Sequence, residues 1–202
     1  MRRLIRKATS AARRQPAFLC GSLILICWAT VFTPAQDQAS PKPEDLVRIV
    51  GAFANVRHTR EDAFGYALQL WQQGDQLFGL LNVYTGAPSD PPAGLLEDVK
   101  FDPRTRRLSF SARLSTGLTY GGKYSGVPSR DRFTFNGVLT KTEVSGVMQQ
   151  ANELFPNERP TSKRIRLRRS ASYTQMMTPA PPTYSAWKTW ADEMLKFRGP
   201  KW

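Results

Sequence analysis

The chain has 202 residues, 41% of them hydrophobic, and its 29 Lys and Arg against 16 Asp and Glu give a formal net charge of +13. This length suffices for one domain of ordinary size with a real hydrophobic core. Its two cysteines, Cys20 and Cys27, lie in one apolar run near the start. Disulfides, thiolate metal sites and cysteine nucleophiles are therefore excluded from the rest of the chain.

A basic segment and an apolar run open the sequence. Six Arg and Lys precede the apolar residues 17–32, and Thr33-Pro34-Ala35 then offers small residues at positions suited to cleavage. This order is typical of a secretory signal peptide, and the run is shorter than the roughly 20 residues that span a bilayer comfortably. The long basic segment also suits an uncleaved anchor. Residues 1–35 are therefore predicted to be a signal peptide or signal anchor. The protein is expected to be exported, periplasmic or extracellular, and in the anchored alternative held on the membrane through residues 17–32.

The net charge changes when the export segment is set aside. Residues 1–35 carry six basic residues and no acidic ones, so the charge of the remaining chain falls from +13 to +7. A basic exported domain favours anionic partners, such as lipid headgroups, an envelope surface or acidic polysaccharide. Nucleic acid is a less favoured partner for an exported protein.

Short strands dominate the sequence after residues 36–45, which contain Pro41 and Pro43 and are predicted to be an extended linker. Apolar and polar residues alternate from residue 46 to residue 172, as they do in half-buried strands. Eight strands are predicted, and seven connections join them in chain order: residues 57–62, 73–76, 85–94, 102–106, 115–129, 141–142 and 151–162. Glycines inside strands, such as Gly137 and Gly146, require a sharp bend or a side chain packed over them, which favours a barrel. The predicted fold is an all-β, eight-stranded antiparallel up-and-down meander barrel.

The connections alternate in length, the odd-numbered ones being long and the even-numbered ones short. Successive connections of an up-and-down barrel lie at opposite ends, so all the long loops are expected at one end. Loops on a rigid scaffold commonly form binding sites, and a ligand is therefore expected at that end. The Gly-rich residues 115–126 are either a mobile lid carrying Tyr120 and Tyr124 or an ordinary disordered loop.

The sequence changes character after the last strand. Residues 173–184 are rich in proline and are predicted to be a stiff linker. Ser185 is a candidate cap for an amphipathic helix over residues 185–198, because apolar residues recur there at helical spacing. This apolar stripe consists of Trp187, Trp190, Ala191, Met194 and Leu195. It either packs on the outside of the barrel or docks on a partner or a membrane surface.

Residues suited to catalysis are scarce. The single histidine, His58, lies in the first long loop without the further ligands that a metal site needs, and no nucleophile-elbow sequence accompanies it. Glu97 and Asp98 are adjacent, so on a regular strand they face opposite sides and cannot act as an acid/base pair. No catalytic residue, metal or cofactor is therefore predicted. The protein is predicted to be non-enzymatic, with an enzyme as a less favoured alternative.

A basic run in the last strand is a candidate binding surface. Alternation directs Ile165 and Leu167 inward and Arg164, Arg166 and Arg168 outward in a row. The row is either a charged strand face that discourages edge pairing or a site for an anionic surface.

The layout resembles that of the calycins, the superfamily of exported barrels that includes lipocalins and avidins. Gly51-Ala52-Phe53 in the first strand is similar to the lipocalin Gly-x-Trp signature, with Phe53 in place of Trp. The resemblance implies that a basic residue of the last strand, Arg166 or Arg168, packs over Phe53. It also implies a barrel with one closed end and one looped end.

Two functions follow as hypotheses. The first is a binding module for a small apolar or amphipathic molecule held at the looped end, the alternative being an interior that side chains fill completely. The candidate ligand-binding residues are Tyr66, Leu81, Phe110, Tyr120, Tyr124, Phe133 and Phe135. The second is an envelope-associated protein that docks on anionic lipid or on a protein partner, through the row of Arg164, Arg166 and Arg168 and the helix bearing Trp187 and Trp190.

Overall fold

A computed structural model describes residues 46–86, 91–118 and 126–196. The predicted signal segment 1–35, the linker 36–45, Tyr120, Tyr124 and the last residues of the predicted C-terminal helix lie outside these ranges. Neither helix in the described residues has the length and hydropathy needed to cross a bilayer.

Strands account for most of the described chain. They are β1 (Arg48–Ala54), β2 (Arg57–His58), β3 (Ala63–Gln73), β4 (Gln76–Gly86), β5 (Ala93–Asp102), β6 (Arg107–Arg113), β7 (Asp131–Leu139), β8 (Glu143–Asn152) and β9 (Thr161–Arg169). Two helices follow, α1 (Ala171–Gln175) and α2 (Tyr184–Met194). Eight of the strands are long, and β2 is a two-residue strand paired to the start of β3.

The eight long strands close into an antiparallel barrel. Each strand from β3 to β9 pairs with the next one along the chain, and β1 pairs with both β9 and β3. The ladder between β1 and β9 is short, with the pairs Phe53–Arg169 and Ala54–Arg168. The predicted up-and-down meander barrel is confirmed.

The two ends of the barrel differ as the connection lengths predict. At the hairpin end the links are residues 74–75, 103–106 and 140–142, and β1 begins and β9 ends there. At the looped end β1, β4, β6 and β8 end and β3, β5, β7 and β9 begin, and the described links there include residues 55–62 and 153–160. We call these two ends of the barrel the hairpin end and the looped end.

Apolar side chains fill the interior of the barrel. The inward rows predicted for β3, β4, β6 and β7 meet in one buried cluster. Phe110 stacks on Phe135 with the ring centroids 5.1 Å apart. The Phe135 ring also covers two strand glycines, since a Cβ on Gly137 or Gly146 would lie 2.6 or 2.9 Å from Phe135 Cζ. A Cβ at Gly137 or Gly146 would also collide with the backbone carbonyl of Ser145 or Asn136 on the neighbouring strand, so both the backbone and the ring require glycine there.

A second apolar cluster lies on the outside of the barrel, under α2. Trp187 is 2% exposed, and its ring centroid lies 4.6 Å from that of Phe78 and 5.5 Å from that of Trp71. Ala191 and Leu195 are buried in the same cluster. Of the two alternatives for the C-terminal stripe, packing on the barrel is therefore observed for these three residues. Trp190 and Met194 remain 43% and 44% exposed.

The chain after β9 differs from the prediction in detail. The short helix α1 occupies part of the segment predicted to be a linker. Ser170 caps this helix, since its side chain accepts a hydrogen bond from the Tyr173 N–H. The predicted cap of the C-terminal helix is also wrong. Thr183, not Ser185, accepts a hydrogen bond from the Ala186 N–H and starts α2.

Candidate functional site

A cavity of about 440 Å³ opens at the hairpin end of the barrel. The start of β1, the end of β9 and the links 103–106 and 140–142 all contribute to its wall. It thus lies at the opposite end of the barrel from the long loops.

The floor of the cavity is apolar. Val50, Leu77, Phe101 and Leu139 form it, and each comes from a different strand. Leu77 and Leu139 belong to the interior cluster, and Val50 and Phe101 are half-buried side chains packed against that cluster. The floor is therefore continuous with the barrel core, and it offers an apolar surface where the barrel opens.

The rim of the cavity is cationic. Arg48, Arg106, Lys141 and Arg169 line it, and all four are exposed. Arg48 Nη2 donates a hydrogen bond of 2.8 Å to Gln72 Oε1. Arg106 has a left-handed backbone (φ 59°), and its carbonyl accepts a 2.9 Å hydrogen bond from the Leu139 N–H, which fixes this residue in the hairpin link.

Arg169 is held more firmly than the other rim cations. Its Nη2 donates to the Val50 carbonyl at 2.7 Å, and its Nη1 donates to the Lys141 carbonyl at 3.2 Å. Its Cζ lies 5.7 Å from the centroid of the Phe53 ring. Gly51 makes room for the guanidinium, since a Cβ there would lie 2.8 Å from Arg169 Cζ.

The basic residue that packs over Phe53 is thus Arg169, and the prediction of Arg166 or Arg168 is wrong. Side chains alternate along β9, with Ile165 and Leu167 buried and Arg166 and Arg168 exposed on the outer face. Arg169 continues the inward row, so it reaches Phe53, its partner in the β1–β9 ladder.

Two acidic residues that are close to the rim cations along the chain, Glu143 and Asp102, are engaged elsewhere. Glu143 Oε2 accepts a 2.7 Å hydrogen bond from Arg166 Nε on the outer face. Asp102 accepts hydrogen bonds from the Thr105 hydroxyl (2.6 Å) and the Arg104 N–H (2.9 Å), and these contacts lower the pKa of Asp102. Among the described residues, the four rim cations have no carboxylate within ion-pair distance.

A second opening lies in the side of the barrel, between β4 and β5. Three residue pairs join these strands, from Leu80–Leu95 to Asn82–Ala93, and the strands then separate toward the hairpin end. A bulge between Glu97 and Lys100 bends β5 away. The resulting cavity of about 440 Å³ is flanked by α2, and Leu77 and Phe101 line both this cavity and the one at the hairpin end.

The bulge also corrects the prediction that Glu97 and Asp98 face opposite sides of a strand. Asp98 has a left-handed backbone (φ 51°), so the regular alternation of a strand is interrupted there, and both Glu97 and Asp98 line the lateral cavity. Asp98 Oδ2 accepts a 3.4 Å hydrogen bond from the Ser111 hydroxyl.

The predicted ligand-binding residues are largely part of the packed core. Leu81, Phe133 and Phe135 are fully buried, and Phe110 is 3% exposed. Tyr66 is half-buried, with its ring edge-on to Phe133 at 6.0 Å, and burial raises its pKa. Tyr120 and Tyr124 lie outside the described residues.

The predicted anion-binding row has the expected placement, since Arg164, Arg166 and Arg168 are all exposed on the outer face of β9. Arg166 is paired with Glu143, whereas Arg164 and Arg168 have no carboxylate partner among the described residues. His58 is exposed in β2. The described residues contain no group of three or more side chains that could hold a metal ion.

The cationic rim was not predicted from the sequence. Its members are separated along the chain, and each stands at a strand end or in a hairpin link, where a basic residue is ordinarily solvated. No protein-family model matches the chain, and comparisons with curated proteins and with solved structures give no match. The geometry of the barrel is therefore the basis for assigning a function.

Proposed function

We propose that this protein is an exported, non-enzymatic β-barrel binding module for a small apolar or amphipathic molecule. The observation that carries the proposal is the cavity at the hairpin end, with its apolar floor of Val50, Leu77, Phe101 and Leu139. Its volume of about 440 Å³ lies within the range of roughly 300 to 1,000 Å³ typical of small-molecule sites.

The hairpin end is favoured over the looped end as the position of the ligand. The aromatic side chains proposed for the looped end, such as Phe110, Phe133 and Phe135, pack against one another in the core. A ligand among them would have to displace well-packed side chains, which is costly. At the hairpin end an apolar surface is already open, so binding requires no such displacement.

Membership of the calycin superfamily is part of the proposal. It is supported by the closed eight-stranded barrel and by the arrangement of Gly51, Phe53 and Arg169, in which the last strand supplies a guanidinium over an aromatic ring of the first. Export is supported by the order of basic segment, apolar run and small residues in residues 1–35.

The test uses a pair of matched variants and a neutral apolar fluorophore, N-phenyl-naphthylamine. Val50→Trp places a large side chain in the cavity, whereas Val147→Trp places the same side chain on the outer face, where Val147 is 36% exposed. The wild-type protein and Val147→Trp should bind the probe with equal affinity, and Val50→Trp should lose most of this affinity while its unfolding transition stays cooperative. Equal binding by both variants, or absence of binding by the wild type, would contradict the proposal.

A second candidate function, docking on an anionic envelope surface, is favoured by one observation. Arg164 and Arg168 point outward without a described carboxylate partner, and Trp190 on α2 is 43% exposed. Sedimentation with phosphatidylglycerol vesicles tests this function. Salt-sensitive binding that is lost in Arg164→Gln/Arg168→Gln would support it, and equal binding to neutral phosphatidylcholine vesicles would contradict it.

A further inference from the structure

We infer that the rim of Arg48, Arg106, Lys141 and Arg169 selects an amphiphile with an anionic head group, a carboxylate or phosphate, whose apolar chain lies on the cavity floor. The inference rests on the proposed function, since it assigns the chemistry of the ligand that the hairpin-end cavity takes. It places the charged group of the ligand at the hairpin end of the barrel, away from the long loops.

The positive charge of the rim is not compensated by described carboxylates. Four cations from four separate segments of the chain converge on one opening, and in the described part of the chain no carboxylate pairs with any of them. Among the described residues, the two acidic residues closest along the chain to a rim cation, Asp102 and Glu143, are bound to other groups. Like charges gathered at one mouth raise the local potential and attract an anion.

The rim also offers hydrogen-bond donors to a ligand. Within the described residues, the side chains of Arg106 and Lys141 have no hydrogen-bond acceptor, so their donors are free to bind a ligand. Arg169 uses two N–H groups on the carbonyls of Val50 and Lys141, which leaves further donors of its fork available. A carboxylate or phosphate accepts several charge-assisted hydrogen bonds at once, which suits this donor set.

The two openings that share Leu77 and Phe101 have linings of opposite charge. The lateral opening between β4 and β5 is lined by Asp75, Glu97 and Asp98, and its one cation, Lys188, is paired with Asp192. An anionic group is repelled there and attracted at the rim. The charges therefore orient the ligand, with the head group at the hairpin end and the chain directed toward the lateral opening.

The test compares two ligands of equal chain length in competition with the neutral fluorophore on the full-length protein. Dodecanoate should displace the probe at a concentration about tenfold lower than dodecanol, since hydrogen bonds to charged groups strengthen binding by about this factor. In Arg106→Gln/Lys141→Gln this preference should fall to near unity, with the affinity for dodecanol unchanged. The matched control, Arg57→Gln/Arg60→Gln, also removes two exposed charges, at the looped end, but keeps the preference.

Two further arms identify the source of the head group. Inorganic phosphate at millimolar concentration should weaken dodecanoate binding without displacing the neutral probe, because phosphate occupies the rim alone. Phosphatidylglycerol vesicles should compete only if the protein extracts lipid, which then appears bound to it by native mass spectrometry. A protein that binds the probe but shows equal affinity for dodecanoate and dodecanol would overturn the inference and leave the proposed function intact. Failure to bind the probe at all would overturn both.

Discussion

The guanidinium of Arg169, in the last strand, lies over the ring of Phe53, in the first, with Cζ 5.7 Å from the ring centroid. This contact occurs where the barrel closes, and the ladder between β1 and β9 has two residue pairs there. Arg169 adds two hydrogen bonds to the carbonyls of Val50 and Lys141. One side chain thus connects β1, the β7–β8 link and β9, and it also forms part of the cavity rim.

Replacing Arg169 by Lys should destabilise the closure. Lysine cannot reach both carbonyls in the fork geometry of a guanidinium, so one hydrogen bond is lost and the contact with Phe53 weakens. We expect the free energy of unfolding to fall by about 1 to 2 kcal/mol in urea denaturation. The neighbouring variant Arg168→Lys, on the exposed outer face, should change it by less than about 0.5 kcal/mol. Equal effects of the two variants would show that Arg169 has no special role.

Replacing Gly51 by Ala should be more damaging than an ordinary glycine substitution. Gly51 has φ 143°, and an added Cβ would lie 2.8 Å from Arg169 Cζ. Backbone strain and displacement of the guanidinium together should lower the free energy of unfolding by about 2 kcal/mol or more. Gly86→Ala is the matched control, because its nearest neighbour would be 3.9 Å away. A Gly51→Ala protein as stable as Gly86→Ala would contradict the described packing.

Truncating Phe135 should reveal whether side chains fill the barrel interior around this residue. The side chain is fully buried, stacks on Phe110 and covers Gly137 and Gly146. Phe135→Ala should therefore cost about 3 to 5 kcal/mol, as for a core phenylalanine. Thr134→Ala, at the adjacent exposed position, should cost less than about 0.5 kcal/mol. A small loss for Phe135→Ala would instead indicate a ligand-lined interior.

The two tryptophans of α2 should differ in their contribution to stability. Trp187 is 2% exposed against Trp71 and Phe78, whereas Trp190 is 43% exposed. We expect Trp187→Ala to lower the free energy of unfolding by about 3 to 5 kcal/mol and Trp190→Ala by about 1 kcal/mol. Thermal and urea unfolding measure both. If Trp190→Ala is the more damaging change, α2 does not dock as described.

The architecture could be predicted from the sequence because it depends on local signals. The alternation of Leu108, Phe110 and Ala112 in β6 marks an inward row, and the lengths of the connections determine which end carries the loops. Both signals depend on residues close together in the chain, so the barrel and its two ends follow from them.

The candidate site could not be predicted in this way, since it depends on contacts between distant segments. Arg48, Arg106 and Lys141 are separated by at least 35 positions, and the closure of the barrel alone brings them to one rim. The apolar outer faces of β3 and β4, with Trp71 and Phe78, are explained by α2 packing on them from more than 100 residues away. The bulge between Glu97 and Lys100 interrupts β5, although the local sequence predicts a regular strand there.

We propose that the ligand site lies at the hairpin end, and amide chemical shifts are the most direct test of this position. Isotope-labelled full-length protein is titrated with dodecanoate, and the shift changes are mapped onto the barrel. A ligand at the hairpin end should change the shifts of Val50, Leu77, Phe101 and Leu139 and of the links 103–106 and 140–142. Changes confined to residues 55–62 and 153–160, at the looped end, would contradict it.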